Sequence, residues 1–123
     1  MRLGVAIVVA VGVTVAAAAC AHPVAYDPWR TTMDVQQAGS EAANDHGLRL
    51  YWGYECQVDG DPHDQTRFTV DCATTTGNGR PTTMVGEGQA DSSRHYHGTF
   101  TIAVDHEVVA TLHCLGNVEA PRC

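Results

Sequence analysis

Three histidines have the side-chain type and the spacing to hold a metal ion. His95 and His97 are separated by one residue, so in a β-strand their imidazole rings lie on the same side of the sheet. Neutral imidazole nitrogens bind zinc and copper. The sequence therefore contains a candidate zinc or copper site, which His113 joins if its strand places it beside His97.

The position of His113 depends on the turn that precedes it. A two-residue turn at Asp105-His106 places His113 on the other side of the sheet from His97. A three-residue turn over residues 105–107 places it on the same side, diagonal to His97, and makes the opposite face wholly apolar. That face would contain the pairs Val104–Val108, Ile102–Ala110 and Phe100–Leu112. Burial favours the three-residue turn, because a slip of one residue moves an apolar set into water.

The simpler interpretation assigns the same three histidines to a polar, solvent-facing strand surface. No carboxylate or cysteine is clearly placed in the sequence as a further ligand or as a partner that would orient the rings. We prefer this interpretation, under which the protein has no cofactor, and keep zinc or copper binding as the alternative.

The N-terminus is typical of an exported protein. Arg2 precedes an apolar run and a series of small residues that ends at Cys20. Ala17-Ala18-Ala19-Cys20 resembles a bacterial lipobox, in which the cysteine receives a diacylglycerol, although Ala17 replaces the larger aliphatic residue usual there. The alternatives are an ordinary signal-peptidase site, which gives a soluble secreted protein, and an uncleaved anchor. We predict a signal peptide over residues 1–19 and lipidation of Cys20.

The chain contains five cysteines, and this odd number bears on the fate of Cys20. Exported proteins meet an oxidising environment, in which thiols tend to be paired. If Cys20 carries lipid, the other four can pair completely. Cys56 and Cys72 fall on the inward face of neighbouring predicted strands, within disulfide reach. Sequence spacing allows three connectivities, and we predict Cys56–Cys72 with Cys114–Cys123.

Composition limits the class of partner. The 123 residues are 44% hydrophobic and 17% charged, which predicts one packed domain. Seven basic residues against fourteen acidic residues give a net charge of -7, which repels phosphate backbones and anionic membrane surfaces. We therefore predict no nucleic-acid partner, membrane attachment through the N-terminal lipid, and an unidentified envelope protein or small ligand as the partner.

Helical signals follow the predicted tether, residues 20–31. Thr31 or Thr32 is the predicted N-cap of a helix that ends at Gly47. Gly39 weakens this helix by about 1 kcal/mol relative to alanine. Its apolar face is thin, so it needs a sheet to pack on.

Alternating apolar residues predict that sheet. In LRLYWGYECQV, residues 48–58, every second side chain faces the core, which buries Trp52 and Tyr54 and exposes Tyr51. RFTVDCAT repeats the alternation, and its inward residues are Phe68, Val70 and Cys72. The runs HGTFTIAV and VVATLHC predict two further strands.

Asn78-Gly79 predicts a tight hairpin between CATTTG and RPTTMV, because both residues tolerate positive φ. That turn sets Thr74 opposite Thr83 and Cys72 opposite Val85. The predicted fold is therefore α+β: one N-terminal helix packed on an antiparallel β-meander of about four or five strands, stabilised by disulfides, in a single domain over residues 32–123.

A family resemblance agrees with export. The run FTVDCATTTGNGRPTTMVGEG, followed by HGTFTIAVDHEVVATLHCLG and a final cysteine, resembles the small secreted proteins and lipoproteins of mycobacteria and related actinobacteria. It covers residues 48–123, and it implies a location in the cell envelope or outside the cell. The resemblance implies no site residues. His106 stands where such proteins typically have glycine.

Three functions are consistent with these features. We favour a lipid-anchored, non-enzymatic binding domain at the cell envelope, which an exposed aromatic or apolar surface would support. The second is metal handling by the three histidines. The third is a small secreted enzyme or protease inhibitor whose working surface is the loops 59–67 and 115–122.

Overall fold

The computed structural model describes residues 27–92 and 95–116, with only the backbone described at Asp91 and Ser92. Within these ranges one helix precedes five strands. They are α1 (Pro28–Asp45), β1 (Glu55–Gly60), β2 (Arg67–Thr75), β3 (Pro81–Ser92), β4 (His95–Val104) and β5 (Glu107–Gly116). The strands form one antiparallel sheet in the order β1-β2-β3-β4-β5, and α1 packs on one face. The predicted α+β fold with a β-meander is confirmed.

The helix α1 begins earlier than the sequence predicts. Asp27 is the N-cap, and its carboxylate accepts a hydrogen bond from the backbone N–H three residues later at 2.9 Å. Pro28 follows at the first helical position, where an N–H would have no partner in the helix. The helix therefore starts ahead of the predicted caps, Thr31 and Thr32. In the described ranges, no helix has both the length and the apolar content needed to span a bilayer.

Gly39 sets the distance between α1 and the sheet. It is buried, and a Cβ atom at this position would lie 2.5 Å from Met84 Cε and 3.0 Å from Met84 Sδ. These distances are shorter than van der Waals contact, so a larger residue would push the helix or Met84 aside. The residue that weakens the helix in isolation therefore allows it to pack closely on β3.

The core lies between α1 and the inner face of the sheet. Phe68, Val70 and Cys72 are buried there, as the sequence predicts. Large apolar side chains that are fully buried in the rest of the sheet and in the helix include Met84, Phe100, Ile102 and Val35. Phe68 also packs edge-to-face on Tyr96, with ring centroids 5.5 Å apart.

The predicted strand over residues 48–58 is wrong in its first half. β1 begins only at Glu55, and the chain bends at residues 51–52. Tyr54 and Val58 are buried as predicted, but Trp52 is 72% exposed. Leu48 and Leu50 before the bend are partly buried, so the alternation holds on both sides of the bend. Trp52, at the bend itself, lies on the surface instead of in the core.

The β2–β3 hairpin turns over residues 76–80. Gly79 has a φ of 82°, but the φ of Asn78 is not positive. The predicted tight turn, which requires positive φ at both residues, therefore does not form. The Thr76 N–H donates to the Arg80 carbonyl at 2.8 Å, which closes a three-residue loop. This loop shifts the register by one residue from the prediction. The observed pairs are Cys72–Met84 and Thr74–Thr82, which leaves Val85 exposed.

The β4–β5 hairpin has the two-residue turn, which corrects the three-residue turn that burial favoured. Asp105 and His106 have φ values of 50° and 66°, and the pair Val104–Glu107 closes the strands. Val109 is then an extra residue in β5. Beyond this bulge the pairs Ile102–Ala110 and Phe100–Leu112 form as the longer turn would have set them. The bulge therefore restores the apolar register that the short turn alone would lose.

Candidate functional site

The segment between α1 and β1, here called the aromatic loop (residues 48–54), is tied to its surroundings by backbone hydrogen bonds. The Tyr51 N–H donates to the Thr75 carbonyl at 2.9 Å, which fastens the loop to the end of β2. The Tyr54 N–H donates to Ser40 Oγ at 2.9 Å, which fastens it to α1. The loop therefore holds a defined position between helix and sheet although it has little regular structure of its own.

The aromatic loop exposes two adjacent rings. Tyr51 is 64% exposed and Trp52 is 72% exposed. Their centroids are 5.3 Å apart and their planes lie at 84°, an edge-to-face arrangement that aromatic pairs favour. Because the backbone beneath the rings is already fixed, little of its conformational entropy remains to be lost on binding.

Tyr54 anchors the aromatic loop in the core. Its hydroxyl forms a buried hydrogen bond with Thr82 Oγ1, with 2.9 Å between the oxygens. Burial raises the pKa of the Tyr54 hydroxyl, and the bond to Thr82 opposes that shift in part. Two residues further on, the Cys56 N–H donates to Gln36 Oε1 at 3.1 Å, a second link to α1.

Cys56 and Cys72 are joined by a disulfide with 4.0 Å between their Cα atoms, as the sequence predicts. The two residues are direct cross-strand partners, so the bond fixes β1 on β2 just after the aromatic loop. Cys114 is also disulfide-bonded. The predicted Cys114–Cys123 pair and the predicted lipidation of Cys20 involve residues outside the described ranges.

The three predicted metal ligands lie on the neighbouring strands β4 and β5. His97 is paired with Cys114, and His95 with Gly116. His113 falls at an irregularity where β4 has one residue more than β5. Among residues 27–92 and 95–116, no three His, Cys, Asp or Glu side chains are grouped to hold a metal ion. Zinc or copper binding by the histidines stays a prediction.

A polar depression of about 290 Å³ lies on the sheet face opposite α1. Its lining includes Arg67, Glu87 and His97. The depression lies next to the loop over residues 59–67, the predicted working surface of an enzyme or inhibitor.

In the loop over residues 59–67, Asp64 accepts two hydrogen bonds from Thr66, one from its hydroxyl and one from its N–H. These bonds lower the pKa of the Asp64 carboxyl. The polar groups of Asp64 and Thr66 therefore organise the loop itself.

The first turns of α1 expose a second apolar pair. Trp29 is 75% exposed and Met33 is 51% exposed. Next to Met33, Asp34 Oδ2 accepts a hydrogen bond of 2.7 Å from the Tyr96 hydroxyl. Burial, and then the hydrogen bond to Asp34, raise the pKa of Tyr96. This bond fastens the start of the helix to β4, as Tyr54 fastens the loop at its other end.

No protein-family model matches the chain, and neither the curated proteins nor the solved structures include a match.

The sequence interpretation missed both exposed tryptophans. The alternation predicts Trp52 in the core, although the Gly53 that follows it is the kind of interruption that marks a bend in an alternating run. The predicted tether includes Trp29, although Asp27 and Pro28 before it are a recognised signal for the start of a helix. In both cases the useful signal was the neighbouring backbone residue rather than the tryptophan.

Proposed function

We propose that this protein is an exported lipoprotein, anchored through Cys20, whose domain binds a protein of the cell envelope without catalysing a reaction. The observation that carries the proposal is the Tyr51–Trp52 pair, two adjacent rings exposed on a loop with a fixed backbone. Tyrosine and tryptophan are enriched among the residues that dominate binding energy at protein interfaces. Rings that project from a surface fit a recess in a partner protein, whereas small molecules bind in concave sites.

The aromatic pair supplies the centre of the proposed interface rather than all of it. Each ring offers about 150–250 Å² of surface for burial, while a stable interface covers about 800 Å² on each partner. Arg49 and Glu55 are exposed on either side of the pair in sequence and supply charge for the rim. We therefore expect the aromatic rings to dominate the affinity and the rim charges to influence orientation.

The pairing of cysteines supports the proposed export of the protein and the proposed lipid on Cys20. The Cys56–Cys72 bond belongs to a class of link that persists in oxidising compartments. The intact mass of the mature protein from its native host tests the anchor directly. We expect cleavage before Cys20 and the added mass of acyl chains on that residue. A mature form that lacks Cys20 or carries it unmodified would overturn the anchor.

Site-specific crosslinking tests the contact. A photoreactive amino acid is placed at Tyr51 in the full chain and, as a control, at Val85, which is exposed on the other face of the sheet. We expect an adduct with one envelope protein from position 51 only. We expect Trp52→Ala to lower the yield of that adduct at least about tenfold. Equal adducts from the two positions, or an adduct that Trp52→Ala leaves unchanged, would overturn the proposed contact.

The two alternative functions stay predictions with their own tests. Metal handling predicts zinc or copper binding that His97→Ala removes, measured by titration. A small secreted enzyme or protease inhibitor would react with activity-based probes or inhibit a member of a protease panel. Its predicted loop over residues 115–122 lies largely outside the described ranges.

A further inference from the structure

Trp29 and Met33 form an apolar patch at the start of α1. They are four residues apart, so their side chains are neighbours on the helix surface. The residues of α1 that are buried against the sheet are Thr31, Val35, Gly39 and Ala43. Both patch residues lie outside that buried stripe and are mostly exposed. A helix surface that faces only water usually carries polar residues at such positions, so the patch suggests a further apolar contact.

The sequence places this patch close to the proposed anchor. Cys20 precedes the N-cap Asp27 by seven residues. Seven residues reach at most about 25 Å, whatever their conformation. A lipid on Cys20 would therefore keep the first turn of α1 within reach of the membrane surface.

We infer that Trp29 and Met33 contact the lipid interface of the membrane that holds Cys20, an inference that rests on the proposed lipid anchor. Tryptophan is enriched at that interface because its ring is apolar and its indole N–H forms hydrogen bonds. Methionine adds a flexible apolar side chain that adapts to a fluid surface. The anchor makes this contact intramolecular, so that a weak interaction is enough to orient the domain.

Charge selects the kind of membrane surface. The chain has a net charge of -7, and the patch is flanked by Asp27, Arg30 and Asp34. Anionic lipids would repel an acidic domain. The contact is therefore apolar and favours zwitterionic headgroups. It weakens as the fraction of anionic lipid rises and recovers when salt screens the repulsion.

The contact has a consequence for the aromatic loop. α1 contains 18 residues, so it is about 27 Å long. Trp29 lies in the first turn of the helix, whereas Gly53, next to Trp52, lies against Ser40 in the second half of the helix. A membrane contact at the first turn therefore leaves the Tyr51–Trp52 pair farther along the helix, accessible to a partner protein.

Fluorescence of single-tryptophan variants tests the inference, because the chain has only two tryptophans. The mature protein, purified from its native host, is reconstituted in phosphatidylcholine vesicles that contain lipids brominated on the acyl chain. Trp52→Phe leaves Trp29 as the reporter, and Trp29→Phe leaves Trp52 as the matched control with nearly equal exposure. We expect a blue shift and loss of intensity for Trp29 in the brominated vesicles, and unchanged emission for Trp52.

The state of Cys20, measured by mass spectrometry on the same samples, separates the possible failures. Acylated Cys20 with unquenched Trp29 would overturn the membrane contact and leave the anchor intact. Unmodified Cys20 with unquenched Trp29 would overturn both. Equal quenching of Trp29 and Trp52 would also overturn the inference, because it would show that the domain has no preferred orientation.

A substitution at Met33 gives an independent check. In the Trp52→Phe background, Met33→Gln removes an apolar side chain from the patch, and Val85→Gln makes the same change at an exposed position on the sheet. We expect Met33→Gln to reduce the quenching of Trp29 and Val85→Gln to leave it unchanged. Equal effects of the two substitutions would contradict the proposed patch.

Discussion

The two ends of α1 present tryptophan in different ways. Trp29 lies in the first turn of a regular helix, whereas Trp52 lies in an irregular loop and packs edge-to-face on Tyr51. Their exposed fractions are nearly the same, so exposure alone does not distinguish them. Trp29 suits an adaptable contact with a fluid surface. The Tyr51–Trp52 pair has a fixed mutual geometry, which suits a partner of defined shape.

A buried tyrosine hydroxyl fastens each of these two regions. At the Trp29 end, Tyr96 donates to the carboxylate of Asp34, and at the Trp52 end, Tyr54 bonds the hydroxyl of Thr82. Hydrogen bonds to charged groups are stronger than those between neutral groups. The side-chain bond at the start of the helix is therefore charge-assisted, while the one at the aromatic loop is neutral and has a disulfide close by.

Removal of the Cys56–Cys72 bond should have the largest effect and should act mainly at the Trp52 end. The two cysteines are 16 residues apart, and a loop of this size contributes about 3 kcal/mol to the free energy of unfolding. The variant Cys56→Ala/Cys72→Ala, compared with the parent by urea unfolding, measures this loss. Hydrogen exchange should accelerate more at the Tyr54 amide than at the Val35 amide in the helix. Equal acceleration would contradict the separation of the two ends.

Gly39→Leu should have the next largest effect, and it should loosen both ends together. The added side chain overlaps Met84, so we expect a loss of about 1–3 kcal/mol in the free energy of unfolding. Gln37→Leu is the matched control, because Gln37 is exposed on the same helix. That control should change stability by about 0.5 kcal/mol or less. If both variants were equally stable, the close contact of α1 with β3 would be contradicted.

The two tyrosines should differ in their contribution and in its pH dependence. Tyr96→Phe should cost about 2 kcal/mol, because its acceptor is a carboxylate, and Tyr54→Phe about 1 kcal/mol. Both hydroxyls have a raised pKa in the folded state, so folding favours their protonated form. The stability they contribute is complete below the ordinary pKa of about 10 and is lost as the pH rises above it.

Urea unfolding at neutral pH and above pH 10 measures that loss. The parent should lose stability at alkaline pH, Tyr96→Phe should lose less, and Tyr54→Phe should lie between them. An alkaline loss in Tyr96→Phe equal to that of the parent would contradict the role assigned to this hydroxyl.

His106→Gly should have the smallest effect and should stabilise the protein. His106 has a φ of 66°, a conformation that costs most residues about 1 kcal/mol and costs glycine little. Asp105 is kept, because its carboxylate accepts a hydrogen bond from Arg80 at 2.7 Å. Gly79→Ala, at a φ of 82°, should have the opposite sign. Thermal unfolding measures both, and a destabilised His106→Gly would show that its side chain contributes more than the turn conformation costs.

The sequence predicts those parts of the fold that depend on local patterns. Phe68, Val70 and Cys72 alternate within a strand that is regular in the structure, so the period-two rule identifies their buried face. The Cys56–Cys72 pair follows from the same rule applied to two adjacent strands. These predictions succeed because β1 and β2 are paired without interruption.

The remaining features depend on bends, turns and bulges whose backbone geometry the alternation of apolar residues does not specify. The three-residue loop around Asn78 shifts the register of β2 on β3 by one residue, and the bend at residues 51–52 turns Trp52 alone to the surface. The bulge at Val109 corrects a register that the turn alone would have lost. Gly53 marks the bend at the candidate site, but the position of the loop also depends on hydrogen bonds to Ser40 and Thr75, which are distant in sequence.

The bulge at Val109 also affects whether the edge strand β5 can pair with a strand of another copy of this protein. β5 is the last strand of the sheet, and Val108 and Val109 are exposed on it. A straight apolar strand at that position would be a template on which neighbouring chains add strands and aggregate. The extra residue interrupts the regular spacing of hydrogen-bonding groups close to the turn. A second copy of this chain would therefore pair less readily along β5 than along a straight edge strand.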